Sequence, residues 1–239
     1  MSIGGGVHMA IERGCSINCT AIQMFVKNNM QWFARPLMPD EIRALSEELT
    51  RGDQLELPFL VLHPGAHLGA GEEAGLKKIV ASIDAVFRKV PKVNIRIALE
   101  TTAGQGSCLG NKFEHLAYII RRVHEPERLC VCLDTAHVFA AGYDIGSEPG
   151  VRKMFAQFDR AIGLYRLAAI HVNDSKTARD SRVDRHEHIG KGKIGLDAFR
   201  FIMCEQRLNK IPKVLETPKG KELREDVVNL NTLRALIGG

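Results

Sequence analysis

Five short apolar runs in this chain carry a side chain able to bind a metal ion at or next to their C-terminal end. The runs are Phe59–His63 (FLVLH), Ile95–Glu100 (IRIALE), Cys130–Asp134 (CVCLD), Ala168–Val172 (AAIHV) and Lys213–Thr217 (KVLET), and the residues are His63, Glu100, Asp134, His171 and Glu216. Alone, a glutamate in such a place is more often an ion-pair partner or a helix cap, and a histidine before proline can simply fill a turn. Five together read differently. The C-terminal strand ends of parallel α/β folds converge on one face, carboxylates gathered away from water need a counter-charge, and bound cations supply it. Three more candidates follow: His137, three residues after Asp134 in LDTAH, and Asp184 and His186, which form D-R-H in the long polar stretch NDSKTARDSRVDRHEHIGKG. Loops of that length in compact domains are usually functional or disordered. Mixed histidine and carboxylate donors suit zinc, with manganese or iron as rivals. Eight candidate ligands are enough for more than one ion, and sites with two or more ions suit hydrolysis of phosphate esters.

The elements that must position these residues alternate along the chain. A sixth strand candidate is Ala21–Phe25 (AIQMF). All six candidates are short and mostly apolar, as fully buried parallel strands are. Helix candidates are Val7–Arg13, Pro39–Thr50, Glu72–Lys89, Lys112–Val123, Val151–Ile162, Gly195–Gln206 and Lys221–Ile237. In Glu72–Lys89 the residues Leu76, Ile79, Val80, Ile83 and Val86 fall at helical spacing. Such alternation allows an open doubly wound sheet or a closed (β/α)8 barrel. After Ala21–Phe25 the chain reads VKNNMQW, with no G-x-G-x-x-G turn, which favours the TIM (β/α)8-type barrel. With no Pro- or Ser-rich linker, no repeat and no low-complexity tract, residues 1–239 are expected to form one domain.

Composition agrees. The 239 residues are 45% hydrophobic and 26% charged, which excludes a disordered or collagen-like chain. Aromatics at 6% and 22 glycines suit an α/β protein better than an aromatic-rich β-sandwich. The net charge of +5 is mildly basic and compatible with a nucleic-acid partner without demanding one. The six cysteines form no C-x-x-C pair, which argues against a structural zinc finger, and Cys130 and Cys132 sit in an apolar run where buried thiols are common. This pattern fits a reduced, intracellular, cytoplasmic protein. MSIGGGVHMAIERG lacks the basic and apolar regions of a signal peptide, and no stretch reaches 18 apolar residues, so no membrane span is expected.

Six motifs carry a more specific likeness. HPGAH (63–67), LETTAGQGSCLG (99–110), CLDTAHVFAAGYD (132–144), HVNDSK (171–176), RVDRHEHIGKGKIG (182–195) and LETP (215–218) resemble, in order, the successive motifs of the endonuclease IV family, and FVKNNMQW (25–32) resembles its KN-x-x-x-W region. The family consists of zinc-dependent apurinic/apyrimidinic endonucleases of base-excision repair. The resemblance implies a (β/α)8 barrel with a three-zinc cluster. Glu100, Asp134, His171 and Glu216 would hold one ion, and His137, Asp184 and His186 a second. His63 and Glu100 would contribute to a third, with Glu100 bridging. It also implies catalytic roles for Glu100 and Glu216. In the family an activated water attacks the phosphate 5′ to an abasic deoxyribose, leaving a 3′-hydroxyl and a 5′-deoxyribose phosphate. Lys176, Arg182, Arg185, Lys191 and Lys193 are the implied phosphate contacts. The implied partner is duplex DNA with abasic sites, bound by a monomer that acts at the nucleoid and not at a membrane; manganese is an alternative to zinc.

The chain also departs from the family. Six strands are found, not eight, so an incomplete barrel is expected. The family opens with a strand carrying G-x-H-x-S, and SIGGG starts just past its place. Helix Pro39–Thr50 runs through RGDQLEL almost directly into Phe59–His63, where the family has a further strand and helix; a unit of that kind is worth about 30 residues. In the family that strand ends in a histidine of the third zinc site, and the loop after it enters DNA. Met30 stands where the family often has an arginine. Two ion sites are therefore expected complete and a third short of a ligand, with His67 or water in its place. One reading is a two-metal or weakened nuclease; another is an inactive zinc- or DNA-binding remnant. A sugar isomerase-like barrel is a third, against which D-R-H and the GQG motif speak.

Overall fold

The computed structural model describes residues 7–23, 39–54 and 56–237. In chain order they form α1 (Val7–Ser16), α2 (Pro39–Gln54), β1 (Phe59–Leu62), β2 (Gly65–Ala66), α3 (Glu72–Lys89), β3 (Arg96–Glu100), β4 (Cys108–Leu109), α4 (Phe113–Arg122), β5 (Leu129–Asp134), α5 (Thr135–Ala140), α6 (Glu148–Ala161), β6 (Leu167–His171), β7 (Asp174–Ser175), β8 (His186–Glu187), α7 (Leu196–Cys204), β9 (Lys213–Val214) and α8 (Arg224–Ala235). Five strands make one parallel sheet in the order β1-β3-β5-β6-β9. Parallel strands joined by helices give the (β/α) architecture expected, as the curled part of a barrel.

The strand expectations need two corrections. Among the described residues the parallel sheet has five strands, not six: Ala21, Ile22 and Gln23 are not in a strand, and Met24 lies outside the described residues, as does all of FVKNNMQW, Met30 included. The last strand covers only Lys213–Val214, so Glu216 sits just beyond it. Helix α3 matches its expected bounds. Helix α6 starts at Glu148, three residues before the expected Val151, because Ser147 caps it, its side chain accepting from Gly150 N. Helix α8 starts three residues late because Leu223 takes a left-handed φ of 53° just before it.

The two faces of the sheet differ in residue size. Ile97, Leu99, Leu129, Val131, Leu133, Leu167 and Ile170 face the helices in the main apolar core. Ala98, Cys130, Cys132 and Ala169 form a separate inner cluster with Phe59, Val61 and Ala168 against it. Successive strand residues point to opposite faces. The inner rows therefore continue from Val61 to His63, from Ala98 to Glu100, from Cys132 to Asp134 and from Ala169 to His171. One irregularity makes this work. Val131 pairs with Leu167 but Cys132 pairs with Ala169, so Ala168 is an extra residue that brings Asp134 opposite His171. Without that bulge Asp134 would face Ile170, an outward residue. Cys130 and Cys132 are fully buried, and burial pushes their thiols up to about 11 and about 12.

Candidate metal centre

At the ends of the inner rows the donor atoms meet. Glu100, Asp134, His171 and Glu216 each offer one atom, all within 4.8 Å of one another. His171 Nδ1 lies 2.9 Å from Glu100 Oε1, 3.1 Å from Glu216 Oε2 and 3.7 Å from Asp134 Oδ2. The other ring nitrogen of His171 is 2.6 Å from Gln23 Oε1, an oxygen that can only accept, so His171 Nε2 carries the proton and Nδ1 is the free donor to an ion. Gln23 Nε2 also donates to Glu216 Oε1 at 2.8 Å.

A second set stands beside the first. His137 Nε2, His186 Nε2 and Asp184 Oδ1 are separated by 3.4, 3.2 and 3.4 Å. Two donors each at about 2.0–2.1 Å from one tetrahedral ion are roughly 3.3 Å apart, so these atoms are spaced as ligands of a single ion. Asp134 joins as well, forming a triad with His137 and His186. Again the far ring nitrogens set the tautomer. His137 Nδ1 donates to the Thr101 carbonyl at 2.7 Å and His186 Nδ1 to the Glu216 carbonyl at 3.2 Å. Both Nε2 lone pairs then face the same point, an arrangement that repels itself unless a cation or a proton sits there. Asp134 reaches His137 through the chain: it caps α5, its Oδ1 accepting from His137 N at 2.8 Å.

Protons stand in for cations when no ion is bound. Among the described residues the ion-pair partners of Glu100, Asp134, Asp184 and Glu216 are all histidines. Burial alone would lower the His137 pKa, but Asp134, Asp184 and Glu100 overcome it and raise it to about 10. Burial also works against a charged His171, and Cys132 and Glu100 outweigh it, so its pKa is well above the usual value. Burial would raise the carboxylates; His63 and His171 instead hold Glu100 well below its usual range, and His137 and His186 bring Asp184 to about 2. His137 and His171 thus supply the counter-charge to these carboxylates.

The third set is His63, Glu100 and His137. His63 Nε2 is 2.7 Å from Glu100 Oε2, and the His63 and His137 rings stand edge to face at 5.4 Å. This set borrows His137 from the second, and His67, on the turn after β2, is in none of the three.

Around the cluster, loops are pinned by backbone contacts. Gln105 of the GQG motif accepts from Asp184 N at 3.0 Å. Asp174 is fully buried and accepts from Ser175, Gly190, Gly192 and Ile194 N–H groups at 2.8–3.0 Å, which holds the GKGKIG segment against β7 and β8. A Cβ on Gly192 would lie 2.4 Å from both Asp174 Oδ1 and Ser175 O, so only glycine fits there. Lys176, Arg182, Arg185, Lys191 and Lys193 are exposed along this loop; Lys176 N bonds Arg185 O at 3.0 Å, and Arg182 is paired with Asp180. All eight predicted ligands are therefore together. Sequence reasoning missed Thr101, Gln23, Gln105 and Asn173. Thr101, Gln105 and Asn173 stood inside the motifs LETTAGQGSCLG and HVNDSK, beside the ligands, and that adjacency was their one signal.

Known proteins share this arrangement of strands and helices. The model of the xylose isomerase-like TIM barrel family matches residues 9–233. A probable endonuclease 4 of Geobacter sulfurreducens is 44% identical over 276 aligned positions, covering 99% of this chain and 93% of that protein. The chain belongs to the endonuclease IV family. The crystal structure of endonuclease IV from Thermus thermophilus superposes with a TM-score of 0.81 at 30% identity, covering 100% of this chain and 97% of that one. A D-tagatose 3-epimerase-like protein superposes with a TM-score of 0.69 at 15% identity, covering 97% of this chain and 84% of that one, and shares the fold. Against its endonuclease IV relatives the chain is short within its span. The Geobacter alignment has 276 positions and the chain 239 residues, so at least 37 positions face gaps in this chain. That deficit has the size of one strand-helix unit.

Proposed function

We propose that this endonuclease IV-type enzyme of DNA repair hydrolyses the phosphodiester 5′ to abasic sites in duplex DNA, as a monomer with zinc as its resident ion. Family membership supports the reaction class. The spacing of His137 Nε2, His186 Nε2 and Asp184 Oδ1 at 3.2–3.4 Å is the observation that carries the metal dependence. Mixed nitrogen and oxygen donors at that spacing fit zinc, and manganese is the rival. Glu100, Asp134, His171 and Glu216 would hold one ion, and His137, Asp184 and His186 a second. His63 with Glu100 would hold a third more weakly, because His137 already serves the second. Divalent cations held there would acidify water and neutralise charge on a phosphate.

The chain's own groups do the rest. Thr101 O and Glu216 O each accept from a ring Nδ1, which aims the two Nε2 atoms inward. Glu100 spans the His63 and His171 sides, one oxygen to each. Lys176 and Arg185 would neutralise phosphates flanking the scissile bond, holding the duplex in register. The test is direct. Full-length protein loaded with zinc or manganese is expected to nick a duplex bearing one tetrahydrofuran abasic analogue, leaving a 3′-hydroxyl. A folded, metal-loaded protein that leaves the duplex intact overturns the proposal.

A further inference from the structure

We infer that Asn173 is a positioning residue that sets the spacing between the two complete ion sites, an inference that rests on the metal-dependent reading above. Asn173 is fully buried two residues after His171. Its Nδ2 donates to Asp134 Oδ2 at 2.6 Å, and its Oδ1 accepts from Glu216 N at 2.7 Å. One carboxamide thus ties the side chain of a ligand on β5 to the backbone of a ligand beyond β9. Its own backbone is held in turn: Asn173 N donates to Thr135 Oγ1 at 2.9 Å, and that hydroxyl donates to Asn173 O at 2.6 Å.

The choice of oxygen gives the contact its consequence. Asp134 Oδ1 accepts from the His137 amide, while Oδ2, which accepts from Asn173, is the oxygen that faces a histidine of each set. Asp134 Oδ2 stands 3.7 Å from His171 Nδ1 in one set and 3.6 Å from His186 Nε2 in the other. Asp134 belongs to both sets, and Asn173 decides where between them its Oδ2 sits. Glu216 is tethered by the same group, and Glu216 O orients His186. An aspartate at position 173 would keep the acceptor for Glu216 N but put a second carboxylate against Asp134. Alanine would remove both contacts. Partners of this kind, behind the ligands, typically govern metal affinity by 10–100-fold.

The experiment uses the full chain, stripped and reloaded. Zinc affinity is read by competition with a chromophoric chelator, and ligand geometry by the visible spectrum of the cobalt-substituted protein. Asn173→Asp and Asn173→Ala are expected to bind zinc roughly 10–100-fold more weakly and to shift the cobalt bands. Variants that load the same number of ions, within about threefold of wild-type affinity and with an unchanged cobalt spectrum, overturn the inference while leaving the metal centre intact. A wild-type chain that takes up no metal overturns the metal centre and this inference with it. Amide exchange in the metal-free wild type tests the tether without any variant: the Glu216 N–H is expected to be protected, and rapid exchange overturns the inference.

Discussion

The two flanks of the cluster are built differently. On one flank, Asp134 and His171 lie on strands paired on both sides, and both side chains have no exposed surface. Each ligand there has a second partner behind it: the Thr101 carbonyl, the Glu216 carbonyl, Gln23 or Asn173. On the other flank, His63 follows β1, an edge strand among the described residues, and its side chain is 19% exposed. Its set shares two members with other sets. A ligand atom is held by its strand neighbours and by the bonds behind it, and a strand end with one neighbour holds less well. The deficit of at least 37 aligned positions has the size of an element that would add support of that kind.

Removing one histidine from each flank breaks this comparison most directly. His137→Ala deletes a ligand of the second set and a member of the third. Turnover on abasic DNA is expected to fall at least about 100-fold, with one ion lost by elemental analysis. His63→Ala is expected to cost roughly tenfold and to leave the two tight ions in place. Equal losses of metal in the two variants would show that the flanks are equivalent.

A second distinction appears without metal. His137 keeps its proton to about pH 10 when folded, against 6.5 for the ordinary group. Its contribution to stability is therefore fully present below about pH 6.5 and drains away as the pH rises toward 10. Asp184 works in the opposite direction. With a folded value of about 2 against 3.8, its contribution is present above about pH 4 and is lost as the pH falls through 2. Thermal melts of the chelator-treated protein should peak between about pH 4 and 6.5 and decline toward pH 10. His137→Gln should flatten the alkaline limb, whereas a limb unchanged by that substitution would locate the loss elsewhere.

Much of this centre is legible in the sequence. Glu100, Asp134 and His171 continue rows of small inward residues, so alternation along an apolar run brings them to one side of the sheet. The Ala168 bulge was not legible, because AAIHV reads as a regular strand and only its pairing with β5 exposes the extra residue. Helix α5, six residues long, is too short for a helical period to register. Gln23 shows the remaining gap. AIQMF reads as an apolar strand, yet the Gln23 amide joins His171 and Glu216, which are 148 and 193 residues away. Contacts of that separation leave no trace in local spacing.

The smallest expected effect lies outside the cluster and sharpens its boundary. Lys176 is exposed, and none of the ion pairs among the described residues involves it. Its backbone is fixed to Arg185 across the loop that carries Asp184 and His186, so the side chain rises from a held base. A lysine in that position that meets a phosphate contributes through released counterions, not through base recognition. Lys176→Gln should weaken binding to abasic duplex a few-fold, equally for different flanking sequences. The slope of log affinity against log salt should fall by about 0.9. Zinc content and the turnover of bound substrate should stay at wild-type values, since no ligand and no bond behind a ligand is touched. A fall in zinc content instead would move Lys176 from the DNA-facing surface into the support of the metal centre.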